Sequence, residues 1–159
     1  MATGLKNGDM LPQMQLKSTS GVNVTNTKLI GKNILLFIYP KDDSSSCVKE
    51  AKGFSDFKDS FLKKDVEIYG LSKDSIESHI KFINKHNLKI ELLSDESTSF
   101  IQAIGAWVEK SMYGKKFMGV ERTTILVSTD GRVSNLWRKV KVPGHVEQVL
   151  DFLENVSGD

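Results

Sequence analysis

The stretch Tyr39-Pro40-Lys41-Asp42-Asp43-Ser44-Ser45-Ser46-Cys47-Val48-Lys49-Glu50 joins an apolar run to an amphipathic one and contains the only cysteine of the chain. Before it, Asn33-Ile34-Leu35-Leu36-Phe37-Ile38-Tyr39 is nearly all apolar. That run is too short for a membrane span and the right length for a strand buried on both faces of a parallel or mixed sheet. Pro40 ends it. Aspartates and serines fill the turn that follows, and their short polar side chains are usual caps for the unpaired amides of a helix start. From Cys47 onward Ala51, Phe54, Phe57 and Phe61 recur at helical spacings with charged residues between them. The pattern predicts one helix of about three to four turns, with Cys47 in its first turn.

That placement bears on chemistry, because a thiol is a weak nucleophile until it ionises. The amides of a first helical turn and the positive end of the helix dipole stabilise a thiolate. A strand-turn-helix layout also sets the sulfur at the carboxyl edge of the sheet, where open α/β folds bind small ligands. Spacing alone leaves open the alternative of an inert, half-buried cysteine.

At 159 residues and 39% apolar composition, the chain is long enough for one well-formed core and short for two, so residues 1–159 are expected to form a single domain. Lysine and arginine number 22 against 20 acidic residues, and neither sign forms a block. A net charge of +2 in that arrangement gives no argument for a nucleic-acid partner. The first twenty residues show no signal-peptide core and no long apolar run occurs, so no membrane partner and a cytoplasmic location are expected. A single cysteine excludes an intramolecular disulfide and a thiolate metal cluster. His79 and His86 are seven apart, but with no third ligand at a suitable spacing they read as a solvated pair on a helix face rather than a metal site. Neither a GxGxxG nor a P-loop signature occurs, and no cofactor is expected.

Alternation in Met14–Lys17 and Val22–Thr25, on either side of Ser18-Thr19-Ser20-Gly21, predicts a small N-terminal hairpin. Val66–Leu71 reads as a second buried strand. Asp74 and Glu77 have capping-box spacing ahead of the apolar stripe Ile76, Ile80, Ile83, which runs toward Asn87. Strand-helix-strand-helix order is that of an α/β domain with right-handed crossovers. Ile90–Leu93 is either a further strand or an extended loop, and Ser94-Asp95-Glu96 suits a helix start running to about Ile104. The region from Gly105 to Gly119 is the least periodic and reads as an aromatic, lysine-bearing loop able to line a pocket or an interface. Thr123–Ser128 and Val133–Val140 flank the turn Thr129-Asp130-Gly131-Arg132 as a hairpin. After Pro143, the residues Val146, Val149, Leu150, Leu153 and Val156 define a terminal helix stopped near Gly158.

With these elements in order, the chain resembles the peroxiredoxins, in particular the bacterioferritin comigratory protein or PrxQ branch. The resemblance spans essentially the whole chain. Pro40, Ser44 and Cys47 match the family's pattern of proline, three residues, threonine or serine, two residues and the peroxidatic cysteine. Further matches are Phe37-Ile38-Tyr39-Pro40-Lys41-Asp42, Glu50, Gly53-Phe54, Leu93-Ser94-Asp95, Trp107-Val108-Glu109-Lys110, Tyr113-Gly114-Lys115 and Glu121-Arg122-Thr123-Thr124. The resemblance implies a thioredoxin-like α/β fold: a central mixed sheet of about five strands, helices on both faces, an N-terminal β hairpin at one edge and the C-terminal helix across the sheet. Phe54, Phe57 and Phe61 are expected to help cover that sheet.

It also implies that Cys47 attacks the terminal oxygen of hydrogen peroxide or an alkyl hydroperoxide and becomes a sulfenic acid. Arg122, always charged and presenting a rigid fork of donors, would hold the thiolate and the departing oxygen. The Ser44 hydroxyl would orient the thiolate or a peroxide oxygen, with a plain helix cap as the alternative. Pro40 would shield the sulfur from water and fix the turn. Glu50, one turn beyond Cys47, would hold Arg122 by an ion pair, a solvated glutamate being the alternative.

Two departures from the family qualify this. Ser44-Ser45-Ser46 stands where threonine, proline and glycine usually precede the cysteine, so the turn loses proline stiffness and glycine freedom. Lys52 occupies the place, five residues after Cys47, where many members carry a resolving cysteine. The expectation is therefore a 1-Cys mechanism, with Cys47 sulfenic acid reduced by an external thiol such as thioredoxin, glutaredoxin or glutathione, in a monomer or weak homodimer. The competing reading is a peroxiredoxin-derived redox sensor or binding protein with little turnover. A thioredoxin-like disulfide reductase is disfavoured, since no CxxC pair exists.

Overall fold

The apolar run that follows Lys32 forms β3 (Asn33–Ile38), and every residue from Ile34 to Tyr39 is buried. Side chains alternate across a strand, so Ile34, Leu36 and Ile38 enter one core while Leu35, Phe37 and Tyr39 enter another. A strand can be apolar on both faces only when helices cover both, and that is the arrangement in the computed structural model, which describes residues 4–157.

β3 pairs in parallel with β4 (Val66–Ser72), which pairs in parallel with β5 (Glu91–Ser94). Its other edge pairs antiparallel with β8 (Thr123–Val127), which is followed by β9 (Val133–Trp137). The mixed sheet of five strands is extended beyond β5 by the N-terminal hairpin of β1 (Gln15–Ser18) and β2 (Val24–Thr25), giving the order β2-β1-β5-β4-β3-β8-β9. Ile90–Leu93 thus resolves as a strand. Gly70 in β4 has Phe37 and Leu92 side-chain atoms 2.8 and 2.6 Å from where a Cβ would stand, so only glycine fits between them.

On one face α1 (Asn26–Leu29) and α5 (Ser99–Ala103) contribute Leu29, Phe100 and Ile101 to the core. On the other lie α2 (Ser45–Asp56), α3 (Lys58–Leu62), α4 (Ile76–His86) and α6 (His145–Ser157), which contribute Ala51, Phe54, Phe61, Phe82, Val146 and Val149. The Val156 side chain and the expected stop near Gly158 lie outside the described residues. No helix among the described residues is long and apolar enough to cross a membrane.

Several local expectations are corrected. The single helix after Cys47 breaks at Phe57, whose ψ of 12° closes α2 and opens α3. Phe57 is 37% exposed and does not help cover the sheet, because the break turns it outward while Phe54 and Phe61 stay buried. Ser75, accepting from the Ser78 amide, caps α4 in place of the expected Asp74–Glu77 box. The buried face of α4 is His79 and Phe82, and Ile80 is exposed. The helix expected from Ser94 begins only at Ser99. Residues 105–119 are mostly not a loop: β6 (Trp107–Met112) and β7 (Lys115–Val120) form a hairpin, hidden from periodicity because both of its faces meet solvent over most of its length.

Candidate active site

The polypeptide leaves the carboxyl end of β3 at Tyr39, turns through Pro40–Asp43 and enters α2 with Ser44 as N-cap. Asp43 takes a left-handed conformation, φ 64°, at the sharpest point of the turn. The first helical bond runs from the Val48 amide to the Ser44 carbonyl at 2.8 Å. Ser44 makes no side-chain cap bond, and its hydroxyl donates instead to the Lys41 carbonyl at 3.4 Å. The amides of the first turn therefore lack a side-chain cap, which leaves the positive end of α2 available to an anion. Cys47 is the third helical residue, 1% exposed, packed in the cluster that includes Phe37, Tyr39, Ala51 and Phe54. Pro40 is half-buried where the strand ends.

Arg122 arrives from far along the chain, and sheet register explains how. β8 pairs with β3 so that Thr123 lies opposite Ile38. The residue just before Thr123 must then sit beside the point where β3 gives way to the Cys47 turn. Arg122 Nη1 donates to Glu50 Oε1 at 2.6 Å, while Nη2 donates to Ser46 Oγ at 3.0 Å and to Cys47 Sγ at 3.4 Å. Ser46 and Glu50 are four apart on α2 and so share a helix face, between them presenting two oxygens to one guanidinium. The Val140 amide fixes the Arg122 carbonyl at 3.0 Å from the other side.

Glu50 is fully buried, and its second oxygen, Oε2, has no hydrogen-bond partner. Burial pushes its carboxyl up to about 7 against the opposing pull of Arg122. Burial alone would lower the Arg122 guanidinium, but Glu50 and Cys47 outweigh it and raise it, so Arg122 stays charged. His145 lies close by with its Nε2 2.8 Å from the Thr124 hydroxyl and its Nδ1 3.0 Å from Gln148 Oε1. Burial, and secondarily the Arg122 charge, holds His145 below its ordinary value, so it adds no second cation to the site.

Of the residues singled out from sequence, Cys47, Arg122 and Glu50 are brought together; Ser44 and Pro40 shape the turn without a bond to Sγ. Ser46 was not singled out, although its i to i+4 relation to Glu50 marks it as facing the same way. His79 and His86 are not a solvated pair. His79 is fully buried against Asp42, and His86 bonds Asp43 at 2.7 Å, because the turn before Cys47 lies along that side of α4. Among the described residues no cluster of histidine, cysteine and carboxylates has metal-binding geometry.

A lone thiol at a helix start on a thioredoxin-like sheet, with an arginine donating to its sulfur, defines a cysteine-based redox enzyme without a partner thiol in the same chain. The comparisons give the family. The AhpC/TSA family model matches residues 7–136. Peroxiredoxin Bcp of Bacillus subtilis is 41% identical over 150 residues, covering 94% of this chain and 96% of that protein. The structure of a mutant of Xylella fastidiosa PrxQ superposes with a TM-score of 0.92 at 29% identity, covering 98% and 99% of the two chains. A structure of the Xanthomonas campestris bacterioferritin comigratory protein, determined in connection with that protein's alkyl peroxide reduction activity, superposes with a TM-score of 0.85 at 35% identity, covering 89% and 90% of the two chains. The chain belongs to the AhpC/TSA family, and within it is a peroxiredoxin of the Bcp/PrxQ kind.

Proposed function

We propose that this peroxiredoxin reduces hydrogen peroxide and alkyl hydroperoxides at Cys47 by a 1-Cys mechanism. The observation that supports it best is the Arg122 fork, with one nitrogen on Glu50 and the other on both Ser46 and the Cys47 sulfur. The Cys47 thiolate attacks the terminal peroxide oxygen. An S–O bond forms as the O–O bond breaks, and the departing oxygen takes up a proton to leave as water or alcohol. Negative charge moves from sulfur to that oxygen, so donors that serve both ends stabilise the transition state more than the ground state. Arg122 Nη2 serves the sulfur, and the uncapped amides of the α2 first turn serve the oxygens. Glu50 and Ser46 aim the guanidinium, while Pro40 and the aromatic cluster keep water from the sulfur.

The resulting Cys47 sulfenic acid has no second cysteine to condense with. An external thiol attacks its sulfur, water leaves and a mixed disulfide forms; a second thiol equivalent releases reduced Cys47 and a disulfide. Thioredoxin, glutaredoxin and glutathione are the classes of reductant that fit, in a monomer or weak homodimer working in a reducing compartment such as the cytoplasm. Stopped-flow mixing with hydrogen peroxide or cumene hydroperoxide is expected to consume the thiol stoichiometrically and far faster than a free small-molecule thiol reacts, with no consumption in Cys47→Ser. A rate equal to that of the free thiol overturns the proposal.

A further inference from the structure

The turn that delivers Cys47 to α2 is secured by α4, a helix that supplies nothing to the site itself. Asp42, 7% exposed, accepts from the Tyr39 hydroxyl at 2.7 Å, the Ser78 hydroxyl at 2.7 Å and His79 Nδ1 at 2.7 Å. Tyr39 is a fixed donor here, since burial and then the Asp42 carboxylate hold its phenol well above the ordinary value. The second nitrogen of His79, Nε2, lies 2.8 Å from the Leu93 carbonyl of β5. The ring of this fully buried histidine thus bridges the Asp42 carboxyl group and the β5 backbone. The Asp42 amide in turn donates to Asp74 Oδ2 at 2.8 Å, which the Ser72 hydroxyl also bonds. One residue on, Asp43 accepts from Lys85 and His86, two turns further along α4.

Local chemistry fixes this turn only in part. Serines stand at 45 and 46, and Ser44 does not cap the helix. The turn is also held from outside, by a buried Asp42–His79 contact whose partners sit on different elements.

We propose that Asp42 and His79 are positioning residues of the Cys47 site: the pair ties the turn to α4 and β5 and holds the sulfur in the buried geometry that meets Arg122. The proposal rests on the peroxidase reading of Cys47 and adds a kinetic consequence to it. A tied turn favours attack on peroxide, because the sulfur stays against Arg122 and away from water. A released turn does the opposite: it withdraws the sulfur from Arg122 and opens it to any reagent that must reach it from solvent.

The test measures three quantities on the full-length reduced protein: the rate of Cys47 oxidation by hydrogen peroxide, the rate of its alkylation by iodoacetamide, and the urea midpoint. In His79→Gln, which removes the bridging ring, the peroxide rate is expected to fall about tenfold and the alkylation rate to rise about tenfold, on the scale of one lost hydrogen bond to a charged group. Ser78→Ala removes a single half-buried donor to Asp42 and is expected to move both rates the same ways by about two- to threefold. It decides the matter should His79→Gln fail to fold. Phe100→Leu, in the core on the opposite face, lowers stability without touching the turn and is expected to leave both rates unchanged. Rates that stay constant in the folded α4 variants, that move in the same direction, or that Phe100→Leu reproduces, overturn the proposal. A slow peroxide reaction in the unaltered protein would instead sink the peroxidase reading, with the alkylation series still judging whether the turn is tied.

Discussion

Asp42 and Glu50 are both buried carboxylates, five residues before Cys47 and three after it, and their surroundings are opposite. The turn before the cysteine surrounds Asp42 with donors from Tyr39, Ser78 and His79. The helix after it gives Glu50 one partner, Arg122 Nη1, and leaves Oε2 with none. Burial penalises an ionised group in both places, so hydrogen bonding decides the outcome. A carboxyl group met by three partners organises a fold. An underserved one is poised to titrate, and Glu50 does so near 7. The residues that shape the site and those that take part in its chemistry are thereby separated along nine residues of chain.

The largest test of that separation is on the chemical side. Arg122→Ala removes the donor to sulfur and is expected to lower the rate of peroxide consumption by roughly 10²- to 10³-fold, the scale for losing one preorganised donor at developing charge. Stopped-flow kinetics at fixed pH checks it, and a loss under threefold would mean that the helix amides suffice. On the structural side, Asp42→Ala strips Tyr39, Ser78 and His79 of a shared buried partner. The expected cost is about 3–5 kcal/mol of stability in urea denaturation at neutral pH, the scale for leaving several buried polar groups without a partner. Were Asp42→Ala to prove no more destabilising than Glu50→Ala, the contrast between saturated and underserved carboxylates would be wrong.

The strand, the turn and the first helix were legible because their signals are local: an apolar run, a proline, and apolar residues at helical spacing. Arg122 was not legible from spacing, since its place depends on the pairing of Thr123 with Ile38, eighty-five positions apart in sequence. Only resemblance to a family named it. His79 was misread for a physical reason. Periodicity sorts a helix by polarity, and it turned Ile76, Ile80 and Ile83 inward and His79 outward. In the fold, His79 brings its own buried partner, so a polar residue occupies the inner face and Ile80 is exposed. The β6–β7 hairpin escaped for the converse reason: a strand pair solvated on both faces has no alternation to detect.

The subtlest expected effect concerns Glu50 and pH. Its folded-state value of about 7 lies above the 4.5 of an unperturbed glutamate, so between those values the folded protein binds the proton that the unfolded chain has released. Ionised Glu50 therefore costs stability, a cost absent below 4.5, growing as pH rises, and complete above about 7. Glu50→Gln removes that charge, so its stability relative to the unaltered protein should improve as pH rises from 5 to 8. Activity should respond with the opposite sign, because the ionised carboxylate holds Arg122 more firmly than a neutral amide does. At pH 8 Glu50→Gln is expected to consume peroxide about threefold more slowly than the unaltered protein, and the ratio of the two rates should approach one as pH falls through 7. Taking the ratio cancels the ionisation of the thiol itself. A ratio that stays constant from pH 5 to 8 would show that Glu50 keeps one protonation state throughout, and that a buried carboxylate with a single partner is held as firmly as one with three.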